Sequence, residues 1–292
     1  MSEGEIAVNQ CLIHEPNQSW PASLSCEFHQ TSAGGTALAK VRHSGPLRVQ
    51  KLFHDQDLAH CYVLHPPGGM VSGDDLDCRF HLHPYARVLI TTPASGKLYR
   101  SRSNGSLQTM TTTIEVDDRG MCAYLPQDTI VFDGATGELE TNVFLSSSAS
   151  YFGWEHTIFG RPAGALPFTV GHLSQSLTIY RDRQLLYRDR LRIDAEVLRS
   201  ETGLGGMTSL ASGLLVLPVG AQQSDELVAS CRLSLGDLQG ISGVTAIRDG
   251  LISIRLLSSR AEDTRTALEQ LWSAVGEFLM ARKVETPRIW RT

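Results

Sequence analysis

The feature that most constrains the fold is a succession of short apolar segments with strand character, separated by turn signals, along most of the chain. Residues 77–83 alternate between apolar and polar side chains, as a strand with one buried face does. Asp249-Gly250 lies between two apolar runs and is typical of a two-residue hairpin turn. The predicted strands are residues 47–53, 61–64, 77–83, 86–92, 107–116, 121–125, 129–132, 139–145, 169–180, 185–193, 214–219, 243–247 and 251–257. So many short segments predict a mainly β protein with two-layer stacked or partly β-helical sheets.

Two or three α-helices complete this prediction, and the clearest is near the C terminus. Residues 260–280 repeat apolar side chains at helical spacing, and Ser259 with Glu262 has the pattern of a capping box. A shorter helix is predicted from Asp225, and a third over residues 149–157.

Composition is typical of a folded protein, with 41% hydrophobic and 20% charged residues among 292. The net charge of −5 argues against a broad nucleic-acid surface.

Residues 1–22 are polar and aperiodic, which predicts a flexible N-terminal tail before a single domain over residues 23–292. The six cysteines form no C-x-x-C pair and the N terminus has no apolar signal segment, so we expect free thiols and a cytoplasmic location.

No motif identifies the chain as an enzyme, and the pattern of possible metal ligands is only weakly specific for a metal site. His81 and His83 share one face of a predicted strand. With His60, Cys61 or His65 from a neighbouring strand they could hold nickel or zinc. The alternative is that they form the solvated face of a half-buried strand.

Two adjacent carboxylates, Asp74 and Asp75, follow the glycine-rich turn of residues 68–73. Carboxylates after a tight turn can coordinate a cation. Acidic side chains also cap turns by accepting backbone hydrogen bonds, and the residues alone favour that role.

A set of motifs in a fixed order covers nearly the whole chain from about Leu24. The motifs are residues 45–50 (GPLRVQ), 65–75 (HPPGGMVSGDD), 91–101 (TTPASGKLYRS), 124–134 (YLPQDTIVFDG), 153–155 (GWE), 160–161 (GR) and 287–292 (PRIWRT). In this order they resemble the motifs of UreD-type urease accessory proteins.

The resemblance implies a β-rich fold and a non-enzymatic scaffold in the cytoplasm. It implies three partners: a UreF-type accessory protein, a UreG-type GTPase and the urease apoprotein. It implies no tightly bound cofactor, and that nickel passes transiently through an internal channel to the urease site. Separately, the net charge and the lack of a bilayer-length apolar run predict no nucleic-acid or membrane partner. Poor solubility without the UreF-type subunit is a further expectation, because such scaffolds often expose apolar patches when alone.

Within the resemblance, two groups of residues are candidates for function. The hypothetical nickel path comprises Asp74, Asp75, Asp128, Asp133 and Glu155. Residues with a partner-binding or structural role are Lys97, Tyr99, Arg100, Trp154, Arg161 and Trp290. Asp128 stands where the family usually shows Glu. Scattered oxygen ligands suit a conduit, because a tight cluster would retain the ion.

One departure from the family pattern concerns the conduit. After Gly160-Arg161 the family carries a Gly-Glu pair where this chain has Ala165-Leu166. Glu155 is a candidate to compensate for the absent carboxylate. Two alternatives therefore stay open: a β-scaffold without nickel conduction, and a metal-dependent hydrolase that uses the face of His81 and His83.

Overall fold

The computed structural model describes residues 19–103, 105–222 and 224–291, which form three layers. The strands are β1 (Trp20–Gln30), β2 (Thr36–Ser44), β3 (Arg48–Val49), β4 (Phe53–Asp55), β5 (Leu58–Leu64), β6 (Asp74–Leu82), β7 (Arg87–Thr91), β8 (Gly96–Leu98), β9 (Gln108–Val116), β10 (Met121–Tyr124), β11 (Thr129–Val131), β12 (Thr136–Leu145), β13 (Ser150–Phe159), β14 (His172–Arg181), β15 (Gln184–Asp194), β16 (Ser209–Val216), β17 (Gly240–Arg248) and β18 (Leu251–Ser258). The helices are α1 (Ala195–Arg199), α2 (Ser224–Ser234) and α3 (Ala261–Met280), with short 3₁₀ turns at Pro162–Gly164 and Arg288–Arg291.

The middle of the chain winds back and forth between two sheets. The smaller sheet has the order β15-β14-β12-β9-β6-β1-β2, and the larger runs β17-β18-β16-β13-β10-β7-β5-β3 with β4, β8 and β11 at its margins. Strands β6, β9, β12 and β14 pair in parallel, as do β5, β7, β10 and β13. From β5 to β14 the chain crosses repeatedly from one sheet to the other, and the strands that return to the same sheet lie parallel to one another. This is the arrangement of a β-helix. The mainly β, partly β-helical prediction is confirmed.

The larger sheet is buried on both faces, which explains its apolar sequence. In β7, Val88 and Ile90 contribute to the core between the sheets, and Leu89 contributes to a second core under α2 and α3. The smaller sheet has one solvated face, so β6 alternates between buried Cys78 and Phe80 and exposed polar positions. A strand covered on both faces shows a continuous apolar run, whereas a half-covered strand alternates.

The helix predicted over residues 149–157 is wrong, because Ser150–Phe159 is β13, a central strand of the larger sheet. Tyr151 lies in the core between the sheets and Phe152 in the core under the helices. A strand buried on both faces lacks the alternation that distinguishes it from a buried helix. The predicted strand over residues 47–53 is also wrong, since β3 and β4 are separate there, and β1 and β2 were not predicted.

Helix α3 confirms the predicted C-terminal helix, and α2 confirms the helix predicted from Asp225. The predicted capping box of Ser259 and Glu262 is wrong: the N-cap residue is Arg260, and its side chain makes no capping hydrogen bond. Helix α1 was not predicted. Its signal is Asp194, whose carboxylate accepts the backbone N–H groups of the next turn at 2.9 Å.

The cysteines of the described residues are buried and unpaired: Cys26, Cys61, Cys78, Cys122 and Cys231. Residues 1–18, with Cys11 and most of the predicted tail, lie outside the described residues. Strand β1 begins at Trp20, inside the range predicted as tail. In the described parts of the chain, no helix combines the length and apolarity that a bilayer-spanning segment needs.

Candidate functional site

A cavity of about 230 Å³ lies between the two sheets and is called the main cavity below. Its exposed end is formed by the loops around residues 65–69 and 92–97, which include Pro66, Ala94 and Gly96. Its inner end reaches Glu155 and Gln175. The cavity therefore leads from the surface into the space between the sheets.

The two loops at the exposed end are held together by Lys97. Its ammonium group donates to the backbone oxygens of Gly68 at 3.2 Å and Ser95 at 3.4 Å. Gly69 allows the close approach, because a Cβ there would lie 2.5 Å from the Tyr99 ring. Tyr99 packs on Phe132 with ring centroids 5.1 Å apart. Lys97 thus lines the rim of the main cavity, and Tyr99 packs against Gly69 of that rim.

Glu155 projects from β13 into the space between the sheets. Thr141 on β12 donates its hydroxyl to Oε1 at 2.7 Å, and the amide of Gln175 on β14 donates to Oε2. Glu155 is half-buried and lines the inner end of the main cavity. Burial raises the pKa of Glu155 to about 6 despite these hydrogen bonds, which lower it.

Sequence reasoning missed Thr141 and Gln175, although each carries a signal. Thr141 falls between Leu139 and Val143 in the positions of β12 that face the core, and Gln175 has the same place between Leu173 and Leu177 in β14. A polar residue in a core-facing series of a strand must find a buried partner. Here that partner is Glu155.

A second, small cavity, the side cavity, meets the main cavity at Glu155 and Gln175. It extends to the ion pair of Arg255 and Asp189, whose side chains are 36% and 22% exposed. The two cavities share Glu155 and Gln175 in their linings, so together they extend from the loop rim to this ion pair, with polar side chains at the junction of a mainly apolar lining.

The raised pKa of Glu155 predicts a pH dependence of stability. The folded protein binds this proton more tightly than the unfolded chain, so the contribution is fully present below about 4.5 and is lost as the pH rises through about 6. The difference between these two pKa values corresponds to a change of about 2 kcal/mol in the unfolding free energy. In urea denaturation between pH 4.5 and 6.5, the unfolding free energy of the wild type relative to that of Glu155→Gln should fall as the pH rises. The difference between the two proteins is the quantity to follow, because buried His60 and His156, with pKa values lowered to about 4, contribute the opposite slope to both. The exposed Glu138→Gln is the matched control, and a wild-type slope in Glu155→Gln would contradict the prediction.

Asp128 is buried, and its carboxylate pairs with Arg265 of α3, with Nη2 and Oδ1 2.6 Å apart. Burial acts to raise the pKa of Asp128, but the hydrogen bond from Arg265 and nearby positive charge bring the net pKa below its ordinary value. The Asp128 backbone oxygen also accepts from Gly96 N at 2.8 Å. Asp128 therefore connects the rim of the main cavity to α3.

The carboxylates of the remaining acidic candidates are engaged in hydrogen bonds to neighbouring segments. Oδ1 of Asp133 accepts from the backbone N–H groups of Thr169 and Val170, and its other oxygen pairs with Arg100. Oδ2 of Asp74 accepts from Val71 N at 2.9 Å, the turn-capping arrangement. Oδ1 of Asp75 accepts from the Thr109 hydroxyl at 2.6 Å.

Asp74 and Asp75 line a shallow, open surface depression near residues 105–109. Neither they nor Asp133 are among the described residues that line the main cavity. The structure thus places Glu155 at the cavity and three other predicted path residues, Asp74, Asp75 and Asp133, away from it.

The aromatic and basic motif residues lie at different depths. Trp154 is buried and donates its indole N–H to Pro126 O at 2.9 Å. Trp290 lies beside it, with ring centroids 5.7 Å apart, and donates to the Thr91 hydroxyl at 2.8 Å. Arg161 is exposed, with its guanidinium 5.7 Å from the Phe132 ring centroid.

Leu166, at the position of the absent family carboxylate, is 50% exposed. It lies on the turn that follows β13, where its backbone bridges to Arg161. Leu166 is not among the described residues that line either cavity.

The proposed metal partners of His81 and His83 are wrong. His60 and Cys61 lie on β5 of the larger sheet and His65 just beyond it, whereas His81 is on β6 of the smaller sheet. The neighbouring side chain is instead Asp117, which follows β9.

Fold and cavity together define a mainly β protein with a cavity between two sheets, a carboxylate at its inner end and a helical layer on one side. The UreD urease accessory protein family matches residues 21–291. The chain belongs to this family, and the resemblance seen in its motifs is confirmed. The family places it among the accessory proteins of urease maturation.

Individual relatives agree over nearly their whole length. The chain is similar to urease accessory protein UreD of Marinomonas sp. (strain MWYL1), 36% identical over 94% of this chain and 90% of the relative. It is 33% identical to urease accessory protein UreD of Psychromonas ingrahamii, over 96% of this chain and 97% of the relative. It is 35% identical to urease accessory protein UreD 2 of Brucella anthropi, over 94% of this chain and 98% of the relative.

Proposed function

We propose that this chain is a non-enzymatic scaffold that recruits UreF-type and UreG-type proteins to apo-urease and passes nickel toward its active site. Family membership supports the accessory role. The observation that carries the nickel-transfer part is the path between the sheets, with the Glu155 carboxylate at its junction.

The chemistry of this path suits an ion in transit. The pKa of Glu155, about 6, leaves the carboxylate mostly ionised at neutral pH, so it attracts a cation into the cavity. Thr141 adds a neutral hydroxyl oxygen beside it, and the amide oxygen of Gln175 lies on the same cavity lining. One carboxylate with neutral oxygens holds a divalent ion weakly, whereas a cluster of thiolates and imidazoles would retain it.

The accessory role is tested by urease activity in cells supplied with nickel, with the cognate urease proteins present and this chain present or absent. We expect urease to remain abundant but inactive without the chain, and activity to return with the intact chain. Full activity without it would overturn the proposal.

Conduction is tested separately from recruitment by substitutions inside the path. Met110 lines the main cavity, and Met110→Trp should obstruct it, with Met110→Leu as the matched control. We expect Met110→Trp and Glu155→Gln to lower urease activation about ten-fold or more, a loss of about 1.4 kcal/mol in transfer. Both variants should still co-purify with the partner proteins.

The second candidate is a scaffold that does not conduct nickel, which the absence of the family carboxylate at Leu166 suggests. It predicts that Met110→Trp and Glu155→Gln activate urease as well as the wild type does. Asp74→Asn and Asp75→Asn extend the test to the surface depression. If these variants lose urease activation while Glu155→Gln keeps it, nickel passes along that surface and not through the cavity.

A further inference from the structure

Two imidazoles and a carboxylate converge on the solvated face of the smaller sheet. His81 lies near the end of β6 and His83 just after it, with ring centroids 4.2 Å apart. β9 runs parallel to β6, with Leu82 opposite Val116, and Asp117 N donates to Leu82 O at 2.9 Å. This register brings the side chain of Asp117 alongside both histidines.

The ligand atoms are close to the spacing that a metal ion requires. Nε2 of His81 is 3.0 Å from Oδ2 of Asp117, and Nδ1 of His83 is 3.7 Å from the same oxygen. One ligand atom from each residue can be chosen so that all lie within 4.8 Å of one another. Metal–nitrogen distances of about 2.0–2.1 Å place neighbouring ligands about 3 Å apart, so small side-chain rotations complete the geometry.

The donor set selects the class of metal. Two imidazoles and one carboxylate suit Ni²⁺, Zn²⁺ or Cu²⁺, whereas Mg²⁺ and Ca²⁺ prefer oxygen ligands alone. The three side chains are between 33% and 41% exposed, so water can reach the site and fill the remaining positions. A second carboxylate, Glu27, lies 3.8 Å from Nε2 of His83 and is held by Lys40 at 2.9 Å.

We propose that His81, His83 and Asp117 form a binding site for one divalent transition-metal ion on the outer face of the smaller sheet. None of the three is among the described residues lining the main or side cavity, so this site is separate from the path through Glu155. Binding there rests on these side chains alone and not on the accessory role.

The test is titration of the full chain, without any histidine tag, with NiCl₂ and with ZnCl₂ by calorimetry. The double variant His81→Gln/His83→Gln should bind one metal equivalent fewer than the wild type. Asp117→Asn should weaken that equivalent by about 10- to 100-fold. The matched control His43→Gln/His172→Gln removes two histidines from other strands of the same sheet and should bind like the wild type.

Equal stoichiometry and affinity in the wild type and the His81→Gln/His83→Gln variant would overturn the site. An equal loss in the control variant would also overturn it, because metal binding would then follow surface histidine content. Thermal denaturation of each variant without metal checks that the fold is intact. The readout involves no urease, so it succeeds or fails independently of the nickel-transfer proposal.

Discussion

Arg265→Ala is expected to destabilise the protein by about 3 kcal/mol, because it leaves the buried Asp128 carboxylate without its partner. The Asp128 side chain is 1% exposed and the Arg265 side chain 38%. Removing one partner of a buried ion pair costs about 3–5 kcal/mol, and the partial exposure of the guanidinium places this pair at the lower end. Urea denaturation at pH 7 measures the change in unfolding free energy.

Two further variants show whether the uncompensated charge is the cause. Arg260→Ala removes an exposed arginine 3.9 Å from Asp263 and should change stability by less than about 0.5 kcal/mol. Adding Asp128→Asn to Arg265→Ala should restore more than half of the loss. Equal losses in the two single arginine variants would contradict the assignment.

The same pair predicts opposite pH dependences in the wild type and the variant. The lowered pKa of Asp128 stabilises the folded protein above the ordinary carboxyl pKa, and this stabilisation is lost as the pH falls through the lowered value. Arg265→Ala removes the largest influence that opposes burial, so the pKa of Asp128 should rise relative to the wild type. Acidification from neutral pH should then reduce the stability deficit of the variant relative to the wild type.

Trp272→Ala is expected to cost about 3–5 kcal/mol, the range for removing a large aromatic side chain from a packed core. Trp272 is fully buried on α3 beneath the larger sheet. Its ring also packs close to Gly276, and its indole N–H points to Glu285 O at 3.4 Å. Trp272 therefore joins α3 both to the sheet and to the segment that follows the helix.

The comparison variants for Trp272 separate burial from general surface effects. Leu233→Ala truncates a side chain that is 85% exposed and should change the unfolding free energy by less than about 0.5 kcal/mol. Trp272→Phe keeps most of the apolar contact and should lose about half as much as Trp272→Ala. Chemical denaturation followed by far-UV circular dichroism measures all three, and a small loss in Trp272→Ala would show that α3 is not needed for the core.

Local patterns in the sequence were sufficient to predict the helices and strands that have one buried and one solvated face. Strand β6 alternates because only one face is covered, and α3 has an apolar stripe because one side packs on the sheet. Strand β13 was predicted as a helix because layers on both sides bury it, so its sequence has no periodicity to interpret. Ordered motifs identified the family because they depend on residue identity and spacing rather than on periodicity.

Contacts between distant segments were decided by the tertiary structure. The sequence placed His81 and His83 on one face, but the parallel register of β6 with β9 supplied Asp117 as their neighbour. The sequence had offered His60, Cys61 or His65 for that place. It named Glu155, but not the Thr141 and Gln175 partners on the facing sheet. It named Asp128, but not its pairing with Arg265, which lies 137 residues away. The sequence by itself therefore determined the strands with one covered face, the C-terminal helix and the family. Only the tertiary structure decided the cavity and its partners, because strand order and sheet stacking depend on burial summed over the whole chain, which no local pattern records.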